Sequence, residues 1–458
     1  MSRRPALVFF LVVTLGYLAL SPFSVGRMGY TPEQVEGARG IIATAGHALR
    51  GDFTTRALSW PRHGLLEPLI LTPFVITGQT LFGAHSSGED VILSIQPVLF
   101  TACLCTIAFL WMREVVSITL SAVLSFAAAF ATILWPYAYI GLETTQSLAL
   151  ALAAWLALRT GVTGTWRETL LFTVAAAVAV SVKANGFMLL PAVLYLIAQR
   201  WRQTRSTAAT SLTIAFVAAV FVFNQYCRDV APSRSAGSTV LFNLYRADGT
   251  LSVLLNFVYL FVSVNKGLLI YCPIVVLAFA SLRRAWAVDR RIVIFALLST
   301  LGLAAGSAVF VFWADDTWGP RYLHSVVVPL VVTLAIARRN APLRLRAEAP
   351  LIATVAVGFV LAVLGVLFYY GTASLAANAA SQRSIENIQH DPEWNPPRLH
   401  AVLLKVWLRG PEAGPAPWPP VRHRWFHAPA ESFDFQPTPV IDLRQFAEPQ
   451  PYMLRFTR

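Results

Sequence analysis

The sequence predicts an all-α, polytopic membrane protein with about eleven transmembrane helices. Three observations carry that expectation. Of 458 residues, 56% are hydrophobic and only 13% charged, and the mean hydropathy is +0.59; a soluble domain runs at roughly 45–50% apolar and about 25% charged. Apolar runs of the length a bilayer core requires, about 20 residues, recur along the chain. The basic residues gather in alternate loops, the pattern of the positive-inside rule. Together these exclude an ordinary soluble enzyme, and the abundance of Leu, Ala, Val and Phe excludes a disordered chain.

The first span is the run Pro5–Val25, which follows Arg3 and Arg4. A signal-peptide cut after Ala19-Leu20-Ser21 would leave Pro22 just past the scissile bond, which disfavours cleavage, so this run reads as a retained helix leading from cytoplasm to outside. The other spans are read at 92–112, 116–136, 146–159, 169–183, 185–200, 209–226, 267–283, 291–312, 322–337 and 350–370. Two more apolar stretches, 64–83 and 250–264, are read as amphipathic or re-entrant helices in the outer interface. A crossing by either alone would turn every later basic loop to the outside. Within the first outer loop, 26–92, residues 31–50 read as a helix: Thr31-Pro32-Glu33 puts Pro at the first helical position and an acid in the first turn.

In this topology the cytoplasmic loops hold 16 basic residues, from Arg3 to Arg346, against the four acids Glu114, Glu168, Asp289 and Glu348, while the outer side is almost balanced. The net charge of +13 is therefore a consequence of topology, and no nucleic-acid partner is expected. The cysteines show no metal-ligand spacing; Cys227 and Cys272 would pair only if both faced outward. Residues 1–370 form the membrane domain, and 371–458, rich in Pro and aromatics and without a span, form an extracytoplasmic C-terminal segment. There is no internal repeat.

Polar residues are costly in such a chain and mark function. Five places stand out, all on the outer side: Glu33 and Glu36 on the first-loop helix; Glu143, after the aromatic stretch Trp135–Tyr139; Lys183 in the tight turn Lys183-Ala184-Asn185-Gly186; Asn265-Lys266-Gly267-Leu268-Leu269-Ile270-Tyr271-Cys272-Pro273; and Trp313-Ala314-Asp315-Asp316-Thr317-Trp318-Gly319-Pro320-Arg321-Tyr322-Leu323. Run 169–199 is too short to hold two full spans, at 1.5 Å per residue against a core of about 30 Å, so the Lys183 turn lies below the outer surface. A Lys there suits an anion such as a lipid phosphate, or else snorkels to headgroups. Asp315 and Asp316 are oxygen ligands of the kind a divalent cation takes, but adjacency alone does not make a metal site and none is expected.

The last two segments resemble the G-[RK]-G-L-x-x-Y-x-P and W-x-x-x-x-x-G-P-R-Y-L signatures of bacterial integral-membrane glycosyltransferases of the GT-C superfamily, which are similar to protein mannosyltransferases and lipid A aminoarabinose transferases. Asn224-Gln225-Tyr226-Cys227-Arg228 and Pro392–His400 fit the same pattern, and the resemblance covers about residues 1–405. In one place the sequence departs from it. Such proteins carry an acid early in the first loop, in a Gly-Asp-Glu-Pro-like context, where this chain has Gly29-Tyr30-Thr31-Pro32.

The resemblance implies a GT-C-like fold in a bacterial inner membrane. It also implies transfer of a sugar from a polyprenyl-phosphate-linked donor to a glycan, lipid or protein acceptor at the extracytoplasmic face; beyond that donor no cofactor is indicated, a divalent metal included. Such chemistry needs a base for the acceptor hydroxyl, for which Glu33, Glu36 and Glu143 are the candidates, with Asp315 and Asp316 as alternative acids. It needs positive charge at the leaving phosphate, for which Lys183, Lys266, Arg321 and Arg62 are available. The rival readings are a transporter or flippase for a lipid-linked glycan and a non-catalytic membrane scaffold. A transporter would place polar groups near the midplane of related halves, whereas here they gather at one face. The charge count makes one direct prediction: a reporter fused after Arg458 gives an extracytoplasmic signal, and a cytoplasmic signal would require one crossing more or fewer.

Overall fold

Backbone polar groups inside a bilayer must be satisfied within the chain, and the apolar runs do this by folding as helices. The computed structural model describes residues 4–19, 21, 31–52, 64–139, 141–229, 249–309, 318–339, 348–367, 396–398, 400, 401, 404, 439–440 and 455–456. In chain order the helices are α1 (Arg4–Ala19), α2 (Thr31–Leu49), α3 (Leu66–Phe82), α4 (Ser87–Arg113), α5 (Ile118–Phe130), the single turn α6 (Leu134–Tyr137), α7 (Gly141–Leu158), α8 (Trp166–Ser181), α9 (Leu190–Thr204), α10 (Thr207–Asp229), α11 (Gly249–Val262), α12 (Leu268–Tyr271), α13 (Ile274–Ala280), α14 (Leu282–Ala308), α15 (Val327–Ala337) and α16 (Ala349–Leu367). Short 3-10 segments at Ala184–Leu189 and Arg321–Val326 lead into α9 and α15. The only strands among the described residues are a two-residue antiparallel pair, Pro439–Val440 with Arg455–Phe456.

The runs read as spans are largely helical where they are described, and several are broken, as at 131–133 within 116–136 and at Cys272-Pro273 within 267–283. Among the described residues, four stretches are long and apolar enough to cross a membrane by length and composition: Gly88–Met112, Thr207–Cys227, Leu282–Ala308 and Ala349–Leu367. Others are shorter or interrupted, and the interruptions have identifiable causes. Cys272-Pro273 separates α12 from α13, Lys183-Ala184-Asn185-Gly186 separates α8 from α9, and Trp318-Gly319-Pro320 precedes the 3-10 segment before α15. Within α14 the backbone leaves helical geometry at Asp289 (φ −148°, ψ 93°), whose carboxylate accepts the Arg291 N–H at 2.9 Å and so caps the longer second half.

One large core joins α1, α4, α5, α7, α8, α14 and α15. Phe9 of α1 stacks on Phe109 of α4 (5.0 Å between centroids), and the Tyr17 hydroxyl donates to the Ala129 carbonyl at 2.9 Å. A smaller core of Val35, Ala38, Leu71, Val75 and Leu93 binds α2 and α3 to the first half of α4. The two helices of the first loop are thus folded onto the bundle. All four cysteines are free thiols, and Cys227 and Cys272 are buried.

The bundle has two chemically different ends. At one, the four acids counted above tie down the basic loops. Glu114 accepts from Trp155 Nε1 (3.0 Å) and the Thr160 N–H (3.1 Å), Glu168 pairs with Arg159, Asp289 with Arg291 (2.8 Å), and Glu348 with Arg338. Buried Arg200 donates to the Leu156 carbonyl at 3.0 Å. The start of α7, the end of α8 and the breaks before α9 and α15 lie at the other end.

The Lys183 turn is seated by a close approach. A Cβ on Gly306 of α14 would come within 2.3 Å of the Met188 sulfur. Gly306→Val is therefore expected to force the buried Met188 side chain out of its place, at about 1–3 kcal/mol for overpacking. A drop in the melting temperature of the detergent-solubilised protein, partly restored by adding Met188→Ala, is the check.

Candidate active site

Three chain breaks bring three charged side chains together. Glu143 lies in the first turn of α7, where the helix dipole favours a carboxylate. Lys183 follows the end of α8 in an extended conformation (φ −122°, ψ 151°). Arg321 opens a 3-10 segment after Gly319, whose φ of +62° a side chain would strain.

Lys183 Nζ donates to Glu143 Oε1 at 2.7 Å. Arg321 Nε lies 3.3 Å from the same oxygen, as an ion contact. The side chains of Lys183 and Glu143 are each 4% exposed and that of Arg321 10%. Both cations also sit over the Tyr322 ring, 5.1 and 5.2 Å from its centroid, an arrangement that strengthens where water is excluded.

A neutral network fixes this group from behind. Ser147, one turn along α7 from Glu143, donates to the Glu143 carbonyl at 2.7 Å. Its oxygen lies 2.6 Å from His324 Nδ1 and 2.9 Å from Ser325 Oγ. Residues three apart eclipse in a 3-10 helix, so His324 shares a side with Arg321. The His324 ring packs against Tyr137 (5.3 Å), and the Tyr137 hydroxyl donates to the Trp318 carbonyl at 2.9 Å. Trp318 in turn stacks on His400 (4.7 Å), joining the Trp-Gly-Pro-Arg segment to the C-terminal motif.

A second polar chain adjoins the first. Gln96 Nε2 donates to Thr145 Oγ1 at 3.2 Å, and the Thr145 hydroxyl donates to Glu67 Oε1 at 3.1 Å. Glu67 is 1% exposed. Asn224 holds the start of α3 against the end of α8, accepting the Leu66 N–H at 3.3 Å and donating to the Ser181 carbonyl at 2.6 Å.

Among the residues singled out from sequence, Glu143, Lys183 and Arg321 meet. Lys266 is buried, 4% exposed, in the turn before α12. Glu36 is elsewhere: it is half-exposed and paired with Arg39, whose other terminal nitrogen binds the fully buried Glu89 at 2.6 Å. Burial opposes the Arg39 charge, but the hydrogen bonds to Glu89 and Glu36 outweigh it and hold the guanidinium above its ordinary value. The side chain of Glu33, and Arg62, Asp315 and Asp316 altogether, lie outside the described residues. Sequence reading passed over Glu67, Gln96, Ser147 and His324. The signals were an acid and an amide inside apolar runs, and a His three residues beyond the Arg of a recognised motif.

No protein-family model matches this sequence, and no curated protein matches it. Comparison with solved structures shows the fold alone: the chain is a multi-pass helical protein that shares its architecture with a membrane protein of known structure. It is similar to ArnT, the lipid A aminoarabinose transferase, from Cupriavidus metallidurans bound to undecaprenyl phosphate, with a TM-score of 0.50 and 16% identity over 90% of this chain and 71% of that one. The apo state of the same protein matches with a TM-score of 0.50 and 15% identity, over 88% of this chain and 69% of that one. The archaeal oligosaccharyltransferase AglB from Archaeoglobus fulgidus, in complex with an inhibitory peptide and a dolichol-phosphate, matches with a TM-score of 0.44 and 13% identity, over 78% and 55% of the two chains.

Removing one member of a buried ion group leaves another uncompensated, at about 3–5 kcal/mol. Glu143→Gln and Lys183→Met are each expected to lower the melting temperature. The double variant is expected to lose clearly less than the two single losses added together, because the partners are removed jointly.

Proposed function

We propose that this chain is a glycosyltransferase that moves a sugar from a polyprenyl-phosphate-linked donor to an acceptor at the extracytoplasmic face of a bacterial inner membrane. The observation that carries the reading is the convergence of buried Lys183 and Arg321 on one Glu143 oxygen, in a fold shared with a transferase whose structure holds undecaprenyl phosphate. The basic loops gather at the opposite end of the bundle, which by the positive-inside rule is the cytoplasmic end. The N-terminus is then cytoplasmic and the C-terminal segment outside.

In this mechanism the donor phosphate draws Lys183 and Arg321 to itself, Arg321 through its planar fork and Lys183 as a point charge. Negative charge grows on the phosphate oxygen as its bond to the anomeric carbon breaks, and the two cations stabilise it. The acceptor oxygen forms the new bond to that carbon, inverting it, and the acceptor proton passes to a carboxylate. A carboxylate paired with two cations is a poor base. Phosphate binding relieves Glu143 of those cations and leaves it able to take the proton. Glu33 is the alternative base from the first loop. Glu36, committed to Arg39, ranks below both.

The test is transfer in proteoliposomes carrying undecaprenyl-phosphate sugars, with each variant shown to be folded. Glu143→Gln is expected to slow transfer about 10²–10⁴-fold, the range for a general base. Lys183→Met and Arg321→Gln are expected to weaken undecaprenyl phosphate binding roughly 10–100-fold, the worth of a hydrogen bond to a charged group. Full activity in Glu143→Gln with loss in Glu33→Gln moves the base to the first loop. Unchanged lipid-phosphate binding in both cation variants overturns the reading.

A further inference from the structure

We propose that Glu67 and Gln96, bridged by the Thr145 hydroxyl, form a subsite that binds the hydroxyl groups of a sugar ring beside the phosphate position; this rests on the glycosyl-transfer reading above. The direction of the hydrogen bonds is the starting point. Gln96 Nε2 donates to Thr145 Oγ1, and Thr145 spends its one hydrogen on Glu67 Oε1. The chain thus ends in two oxygens, Glu67 Oε2 and Gln96 Oε1, that are buried and have no hydrogen-bond partner among the described residues. A buried acceptor without a donor costs about 1–3 kcal/mol, and folded proteins retain few of them.

Three features say what belongs there. The open atoms are a carboxyl oxygen and an amide oxygen, and a ligand's hydroxyl groups, which both donate and accept, satisfy them with or without a proton on the carboxyl. One acceptor belongs to a carboxyl group and the other to a neutral amide, a pair that suits neighbouring hydroxyls and would repel a phosphate. And Glu67 lies near enough to Glu143 for the two carboxyl groups to interact electrostatically, so the subsite adjoins the carboxylate that holds Lys183 and Arg321. Asn224 keeps these parts together by tying Leu66, next to Glu67, to Ser181 at the end of α8. A site built to hydrogen-bond hydroxyls also rejects analogues that lack them, because its own polar groups are then left unpaired.

The ring belongs either to the donor's sugar or to the acceptor. The experiment uses the full chain in lipid nanodiscs, with Glu67→Gln and Gln96→Met. The first keeps the shape of the side chain and the second its approximate volume, and melting temperatures verify folding independently for each. Affinity is measured for undecaprenyl phosphate alone and for its glucose, mannose and arabinose derivatives, and KM for methyl glycosides as acceptors. Both variants are expected to bind undecaprenyl phosphate within about twofold of wild type. A donor subsite makes them bind the preferred undecaprenyl-phosphate sugar about tenfold or more weakly. An acceptor subsite instead raises the acceptor KM by a similar factor with donor affinity kept. Equal loss for the bare and sugar-linked lipids, or no change in any sugar measurement, overturns the subsite and leaves a structural polar chain. In the second of those outcomes, wild-type binding of undecaprenyl phosphate leaves the glycosyltransferase reading standing. A wild type that binds no undecaprenyl phosphate overturns that reading and the subsite with it.

Discussion

Two cations share one carboxylate oxygen where water scarcely reaches, and much of the structure follows from that. Glu143, Lys183 and Arg321 each lose several kcal/mol of hydration on burial, an amount recovered only if all three meet in good geometry. They come from three helix boundaries far apart in sequence, so the start of α7, the end of α8 and the entry to α15 are held at one point. Ser147, His324 and Tyr137 fix the surrounding backbone. Such a group contributes little net stability.

The helix breaks fit the same logic. Irregular backbone inside a bilayer is tolerated only where protein or a polar cavity covers it. The breaks at Lys183–Gly186 and Trp318–Pro320 supply Lys183 and Arg321 to the site, so the segments that cost most in a membrane carry its charged groups. At the opposite end the acids Glu114, Glu168, Asp289 and Glu348 each join or cap a loop or helix end. At one end the charged groups fasten loops and helix ends, and at the other they converge on one carboxylate.

The first loop bears on how acids reach such a site. The sequence has Tyr30-Thr31 where the resembling proteins carry an acid, and Glu36, a little further along, is taken up by Arg39 on a half-exposed face of α2. Glu67, on the next helix, is the first-loop acid that the described structure brings beside the Glu143 group through Thr145. Helix α3 packs against α2 and α4 through Leu71, Val75 and Leu93, which carries Glu67 inward at its N-terminal end.

The sequence by itself determined the helical class, the positions of the helices and the separation of a basic end from a polar one, because hydropathy and the placement of Arg are local quantities summed along the chain. It also marked Glu143, Lys183 and Arg321, since a charge inside or beside an apolar run is conspicuous before any fold is known. It did not determine their partners. That Glu143 holds both cations, that Ser147 meets His324, and that Glu67 and Gln96 meet across Thr145 depend on contacts between residues 40 to more than 170 positions apart. Such contacts are set by how helices pack and where Pro and Gly break them, and one-dimensional periodicity carries no record of them. Gln96 and Glu67 read as isolated polar residues in apolar runs; only the packing of α3, α4 and α7 turns them into one hydrogen-bonded chain.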